Sequence, residues 1–514
     1  MLSVLPPTAP APRFAPVVAT ASAARVEMLD ALLLFAPATG AARALAAQPH
    51  GTLLRRRLQG AARHAGGVFT ARLPNDRQTL VVVGLLATDA PAFERLELAG
   101  RMTRELHLDE CRDVGVAAAG LDTAIETDAV GAGLAALLAA SFALPRARGT
   151  PSRPRRAAPR LHAFARSAPD TARIAAIAAG NDLARWLTAL PPNVLTPGAY
   201  RRAVVQLARR RGWRTRFLDE RALTRAGAGA FLAVTQGSAT RDGGILHVRY
   251  RPRGARGAPV ALVGKGLCFD TGGTNLKSHR HMLDMHTDMA GSAAALGALL
   301  ALDRLRHPAP VDLWLALAEN RIGPQSYLPQ DIVRAANGTT IQVIHTDAEG
   351  RMALADTLAL ASRTAPCAIV DLATLTGACV TALTERLSGV FSNRPEWRDG
   401  IEAAGRDSGE RVWVLPSPRD FDAEIESKVA DVIQCPVEGK GDHIYATRFL
   451  AKFVGRDIPW LHVDLSAATR SGGLAHIPTD VTGFGVGFLV ELLARQGFPG
   501  ARRGDRRPDR TPQR

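Results

Sequence analysis

VALVGKGLCFDTGGTNLK, residues 260–277, is the stretch whose reading decides the fold. Its first four residues are apolar and β-favouring, the signature of a strand buried on both faces. The residues after them are different in kind: Lys265, Asp270, Thr271, Asn275 and Lys277 are set among Gly264, Gly266, Gly272 and Gly273. A strand that served packing alone would not place those groups at its end. Comparable short apolar runs recur at residues 245–250, 311–317, 341–344, 368–372 and 461–465. Helical patterns lie between several of them, notably at 291–305 and 351–363. Alternation of strand and helix implies an α/β fold with a mostly parallel sheet sandwiched between helices. In such sheets the ligand site lies beyond the carboxyl ends of the strands.

Two more of these runs end in polar residues. After 341–344 comes His345-Thr346-Asp347-Ala348-Glu349-Gly350-Arg351, opening a helix, and after 368–372 comes Ala373-Thr374-Leu375-Thr376-Gly377. A further pair, Thr287-Asp288, precedes the helical segment at 291–305. All three polar strand ends are expected to meet at one edge of the sheet. Asp270, Asp288, Asp347 and Glu349 brought together would repel one another, and burying their charge is costly unless cations neutralise it. Carboxylates with an amine and no cysteine favour hard or borderline divalent ions such as Mn²⁺, Zn²⁺ or Mg²⁺. Lysine usage agrees. The chain has only Lys265, Lys277, Lys428, Lys440 and Lys452, and two of these fall in the opening stretch. An amine can shed its proton and ligate a metal, whereas a guanidinium cannot. His279, His281 and His286 lie nearby but lack the i, i+4 spacing of a helical metal pair.

With 514 residues and 46% hydrophobic content, the chain is long enough for two domains with separate cores. Residues 1–145 read as a small N-terminal α/β domain, with a strand at 79–86 and helical stretches at 29–47 and 130–144. Residues 146–170 read as a basic linker, 171–496 as the catalytic domain and 497–514 as a basic tail. The net charge of +16 is concentrated: residues 146–173 carry +7 and residues 495–514 carry +5. Both segments are rich in Pro, Gly, Ser and Ala, so solvated basic chain is the first reading and nucleic-acid attraction a secondary one. Five scattered cysteines without CxxC spacing argue against a disulfide framework. The apolar run at 290–302 falls short of a membrane span, so no membrane partner is expected. The N-terminus, with Pro6, Pro7, Pro10 and Pro12, lacks the pattern of a secretory signal, and a cytoplasmic location is the expectation.

GKGLCFDTGGTNLK, MLDMHTDMAGSAA, HTDAEGRMALADTL and DLATLTGACVTAL, in this order, make the chain similar to the leucine aminopeptidase (cytosol aminopeptidase) family, with the likeness running from about Asp182 to Leu493. The resemblance implies an aminopeptidase that hydrolyses the first peptide bond of short peptides with a free N-terminus, using two divalent metal ions. It implies one metal held by Lys265, Asp270, Asp288 and Glu349, and another by Asp270, Asp347, Glu349 and the Asp347 carbonyl. The nucleophile it implies is a metal-bridged hydroxide, with Lys277 stabilising the oxyanion and Arg351 holding a bicarbonate as general base. Thr374, Leu375 and Gly377 match substrate-backbone contacts, and Met285 matches a residue of the pocket for the first side chain. A homohexamer is also implied. The chain departs from the family at His345, usually Asn, at Leu328-Pro329-Gln330-Asp331, usually Arg-Pro-Gly-Asp, and at the glycine-rich stretch around 439–445, here GKGDHIY.

Overall fold

The computed structural model describes residues 2–7, 12–60, 64–147, 158–495 and 498. The tail beyond 498 and the linker's core at 148–157 lie outside the described residues. The chain forms two compact units. One comprises Met1–Ala189 with Arg406–Arg411 and Thr469–Gly483, and the other Leu190–Gly405, Val412–Ala468 and Phe484–Arg514.

The first unit is built on a six-stranded sheet ordered Arg13–Phe14, Arg160–Phe164, Asp113–Ala118, Ala31–Pro37, Leu80–Leu86, Val68–Arg72. Every pairing is parallel except the last. Here two sequence expectations are corrected. Residues 29–47, read as helical, contain the central strand Ala31–Pro37, and the helix Ala41–Ala46 comes only afterwards. ALLLFAP is buried at every position between two parallel neighbours, and a continuous apolar run carries no period that separates strand from helix. The segment 146–170, read as linker, supplies the strand Arg160–Phe164, whose Leu161, Ala163 and Phe164 are buried. The helix Thr171–Thr188 clusters with this unit, and Asn181 Nδ2 donates to the Thr482 carbonyl at 2.9 Å.

One helix, Thr123–Ser141, is long and apolar enough to cross a membrane by length and composition, longer than the run at 290–302. It packs on the sheet instead, with Val130, Leu134 and Leu137 in the core that holds Leu33 and Val116. All five cysteines are free thiols.

An eight-stranded sheet organises the second unit, ordered Val412–Val414, Ser388–Ser392, Trp460–Asp464, Ala368–Ala373, Val260–Asp270, Val311–Asn320, Gly244–Tyr250, Arg214–Leu218. Its four central strands are parallel and antiparallel pairs appear towards both edges. The buried helices Ala290–Arg304 and Glu349–Ser362 both pack against the strand Val260–Asp270. Residues 341–344 do not join this sheet. Thr340–Gln342 pairs with Ile332–Arg334 and Val432–Ile433 in a small separate sheet, so the segment bearing Asp347 and Glu349 reaches the site from another direction.

Candidate active site

The four central strands end side by side. Asp270 pairs in register with Asn320, and Ala373 with Asp464, so the carboxyl ends put Asp270, Asn320, Thr374 and Asp464 along one edge. Lys265 lies earlier on its strand, 3% exposed, and its ammonium donates to Asp288 Oδ1 at 2.8 Å and to the Thr374 carbonyl at 2.8 Å. It also stands 3.1 Å from Glu349 Oε1. Gly350 makes this approach possible: a Cβ there would sit 2.5 Å from Lys265 Cε. Lys277 Nζ lies 2.8 Å from Asp270 Oδ2 and contacts Asp347 Oδ1. Gly272, at φ +87°, turns the chain back tightly enough for this, since a Cβ there would lie 2.5 Å from the Asn275 carbonyl oxygen.

One carboxylate oxygen from each of Asp270, Asp347 and Glu349 falls within 4.8 Å of the other two. Burial, then the charge of Asp270, raises the Glu349 carboxyl above its ordinary range, and burial likewise raises Asp288 and Asp347. Burial alone would depress both lysines, but the surrounding carboxylates hold Lys265 and Lys277 above the usual lysine value. The cluster fits divalent cations on a direct observation. Asp288 Oδ2 and Glu349 Oε2 are buried with no hydrogen-bond partner, a costly arrangement unless a cation takes those lone pairs.

The site therefore brings together Lys265, Asp270, Lys277, Asp288, Asp347 and Glu349. Thr374 joins them through Oγ1, which donates to Asp288 Oδ1 at 2.8 Å. Leu375 is next, its N–H bonded to Asp464 Oδ1 at 3.2 Å, and Gly377 opens the short helix Gly377–Leu383 with open space where a side chain would stand. Met285 is half-buried in the turn Met285–Thr287, just before Asp288. His279 and His281 are exposed, and His281 Nδ1 lies 3.1 Å from the Ser278 hydroxyl. Arg351 stands in the first turn of the helix Glu349–Ser362. Its guanidinium, 2% exposed, already holds a carboxylate of the chain, Asp442 Oδ2 at 2.6 Å.

Sequence reasoning missed the groups that hold the cluster in place. Asn320 Nδ2 donates to Asp270 Oδ1 at 2.8 Å and to the Thr346 carbonyl at 3.0 Å. The Tyr327 hydroxyl donates to the same carbonyl at 2.7 Å. Thr346, fully buried, exchanges bonds with Asn275: its N–H reaches Asn275 Oδ1, and the Asn275 N–H reaches Thr346 Oγ1, each at 2.8 Å. This lattice ties the loop bearing Asp347 to the strand end bearing Asp270 although they arise from different sheets. Asn320 could have been found, because it ends an apolar run with a polar residue, the same signal that exposed Asp270. Gln330, where the family usually has glycine, sits at φ +78° and keeps a 2.7 Å bond from its N–H to the Val343 carbonyl.

Fold and site together define an α/β protein whose parallel strands deliver a buried cluster of carboxylates and lysines suited to divalent cations. The model of the catalytic domain of the cytosol aminopeptidase family matches residues 182–490, and the chain belongs to that family. It is 42% identical over 323 residues to a probable cytosol aminopeptidase of Synechococcus sp. (strain CC9311), covering 62% of this chain and 65% of that one. It is also 42% identical over 318 residues to one of Syntrophotalea carbinolica, covering 62% and 63%. The match thus spans a little less than two thirds of those relatives' length. Among solved structures, the chain is similar to a tomato leucine aminopeptidase variant, with TM-score 0.80 and 27% identity over 95% of this chain and 98% of that one. It is similar also to a bottromycin maturation enzyme in complex with Mn, with TM-score 0.77 and 30% identity over 90% and 98%.

Proposed function

We propose that this chain is a metal-dependent aminopeptidase that removes the first residue of short peptides. The observation that carries the reading is the buried cluster itself: three carboxylates within 4.8 Å, two lysines among them, and two orphaned carboxylate oxygens. Lys265, Asp270, Asp288 and Glu349 would hold one ion, and Asp270, Asp347 and Glu349 with the Asp347 carbonyl a second. Two divalent cations in such a site supply Lewis-acid chemistry and make water a competent nucleophile near neutral pH. Mn²⁺ and Zn²⁺ fit the donor set, with Mg²⁺ as a third choice. The manganese found in the bottromycin maturation enzyme supports the first of these.

The chain's own groups do the rest. Lys277, kept protonated by Asp270 and its acidic neighbours, donates to the oxyanion that develops as the peptide carbonyl is attacked. The strand end at Thr374, Leu375 and Gly377 lies open to align the peptide backbone, and Met285 lines the pocket for the first side chain. The free α-amine of the substrate would coordinate one of the two cations, which limits cleavage to the N-terminal residue. A cytoplasmic location belongs to the same reading, supported by the naming of the relatives as cytosol aminopeptidases, and a homohexamer belongs to it by the family resemblance alone. Nucleic-acid binding by the Arg-rich segments is a secondary reading, since both are rich in Pro, Gly, Ser and Ala, the composition of solvated basic chain.

The test is hydrolysis of aminoacyl amides by purified protein loaded with Mn²⁺, Zn²⁺ or Mg²⁺, set against the same substrates N-acetylated. The expected result is turnover of the free amines only, with two metals per chain by elemental analysis. Equal turnover of acetylated substrates would overturn the aminopeptidase reading.

A further inference from the structure

Arg351 stands in the first turn of the helix Glu349–Ser362, two residues from Glu349, and its guanidinium is almost wholly enclosed. A buried guanidinium demands an anion, and in principle a small diffusible one could serve. Here the anion is covalently attached to the chain. Asp442 begins the helix Asp442–Ala451 just after Gly441, whose φ of +70° turns the chain into it, and Asp442 Oδ2 accepts from Arg351 Nη2 at 2.6 Å. The pair is not incidental to the loop. Arg351 Nη1 also donates to the Gln434 carbonyl at 3.3 Å. Gln434, fully buried, accepts from the N–H groups of Ile344 and His345 at 3.1 Å each and donates to the Ala348 carbonyl at 2.9 Å. Segment 434–442 is thereby fastened to the stretch carrying Asp347 and Glu349. Asp442 keeps 24% of its side chain exposed, whereas the Arg351 side chain keeps 2%.

We propose that Asp442 is the built-in carboxylate of this site, held by Arg351 and taking the place of a diffusible anion such as bicarbonate. It accepts a proton from the attacking water as the C–O bond forms, and returns that proton to the leaving amine as the C–N bond breaks, so the step balances without a co-reactant. The inference rests on the aminopeptidase reading.

The experiment uses the metal-loaded full chain in CO₂-free buffer, with leucyl-p-nitroanilide as substrate and bicarbonate or formate as the added anion. The wild type is expected to be indifferent to either anion. Asp442→Ala is expected to lose about 10²-fold in kcat, to regain much of it saturably with bicarbonate or formate, and to lose that rescue when Arg351→Ala is added. In parallel, formate should raise the Tm of Asp442→Ala but not of the wild type, a readout that needs no turnover. Wild-type stimulation by bicarbonate, or an Asp442→Ala protein that neither loses rate nor gains anion-dependent stability, overturns the proposal. If no form of the protein cleaves the substrate, the aminopeptidase reading fails instead, and the stability comparison still decides whether Asp442 fills the anion site.

Discussion

In the first unit the central strands Ala31–Pro37, Asp113–Ala118 and Arg160–Phe164 run on into Ala38, Ala119 and Ala165, whereas in the second unit the central strands end at Asp270, Asn320, Thr374 and Asp464. Both sheets are mostly parallel and both have buried interiors. The architecture is shared, and the chemistry is confined to what stands at the strand ends. A small apolar side chain there needs no polar partner. Polar residues there leave groups that must find partners in one another or in a ligand.

The sharpest way to break this contrast is to remove the residue that faces most of the site. Asp270→Ala should abolish peptide hydrolysis and lower bound metal well below two per chain while circular dichroism keeps its wild-type shape. A variant that retained two tightly bound metals would show that the strand end is not the ligand. Next in size is Lys277→Ala, expected to lower kcat by about 10²–10³ with KM little changed and metal content intact. Unchanged kcat with a raised KM would reduce Lys277 to a substrate contact. Asn320→Ala tests the supporting lattice. Freed of its 2.8 Å donor, Asp270 should hold metal about 10–100-fold less tightly by competition with a chelator, and Tyr327→Phe should do the same more weakly. Metal affinity equal to the wild type in Asn320→Ala would make that network structural only.

The smallest effect is expected in the first unit. Asp30 accepts from the N–H groups of Arg112 and Asp113 at 2.6 and 2.9 Å and from Arg77 at 3.0 Å. Burial opposes its ionisation, but the Asp113 and Arg112 amides and Arg77 outweigh that and hold the carboxyl below its usual value. A depressed carboxyl stabilises the fold fully above the ordinary aspartate range near pH 3.9, and the contribution fades as pH falls through the folded value. Asp30→Asn should therefore cost about 1–2 kcal/mol at pH 7 by denaturant titration, less at pH 3, with kcat unchanged. A large loss of activity without loss of stability would show that the first unit takes part in the chemistry.

Much of the site was legible in the amino-acid pattern. Asp270 and Thr374 advertise themselves because a polar group ending a buried apolar strand has no packing purpose, Asp347 and Glu349 because they follow an apolar run and open a helix, and the lysines stand out in a chain that otherwise uses arginine. Five strands of the second sheet were legible as apolar runs, although Val260–Asp270 and Val311–Asn320 run several residues past the apolar core of the pattern, while Arg214–Leu218, Ser388–Ser392 and Val412–Val414 were not. Pairing with a neighbour carries a strand beyond its hydrophobic residues.

Other features had no local signal. ALLLFAP is a strand because neighbours on both sides complete its hydrogen bonds, and those neighbours lie about 50 and 80 residues further along the chain. Thr340–Gln342 enters a separate small sheet because Val432–Ile433, far along the chain, offers it a partner. Asp442 meets Arg351 across 91 residues, which no spacing rule anticipates. Sequence by itself determined which groups need partners, since burial and charge are properties of residue type and pattern. Only the tertiary structure decided which partner each one found, because that choice is made by chain segments that are close in space and distant in sequence.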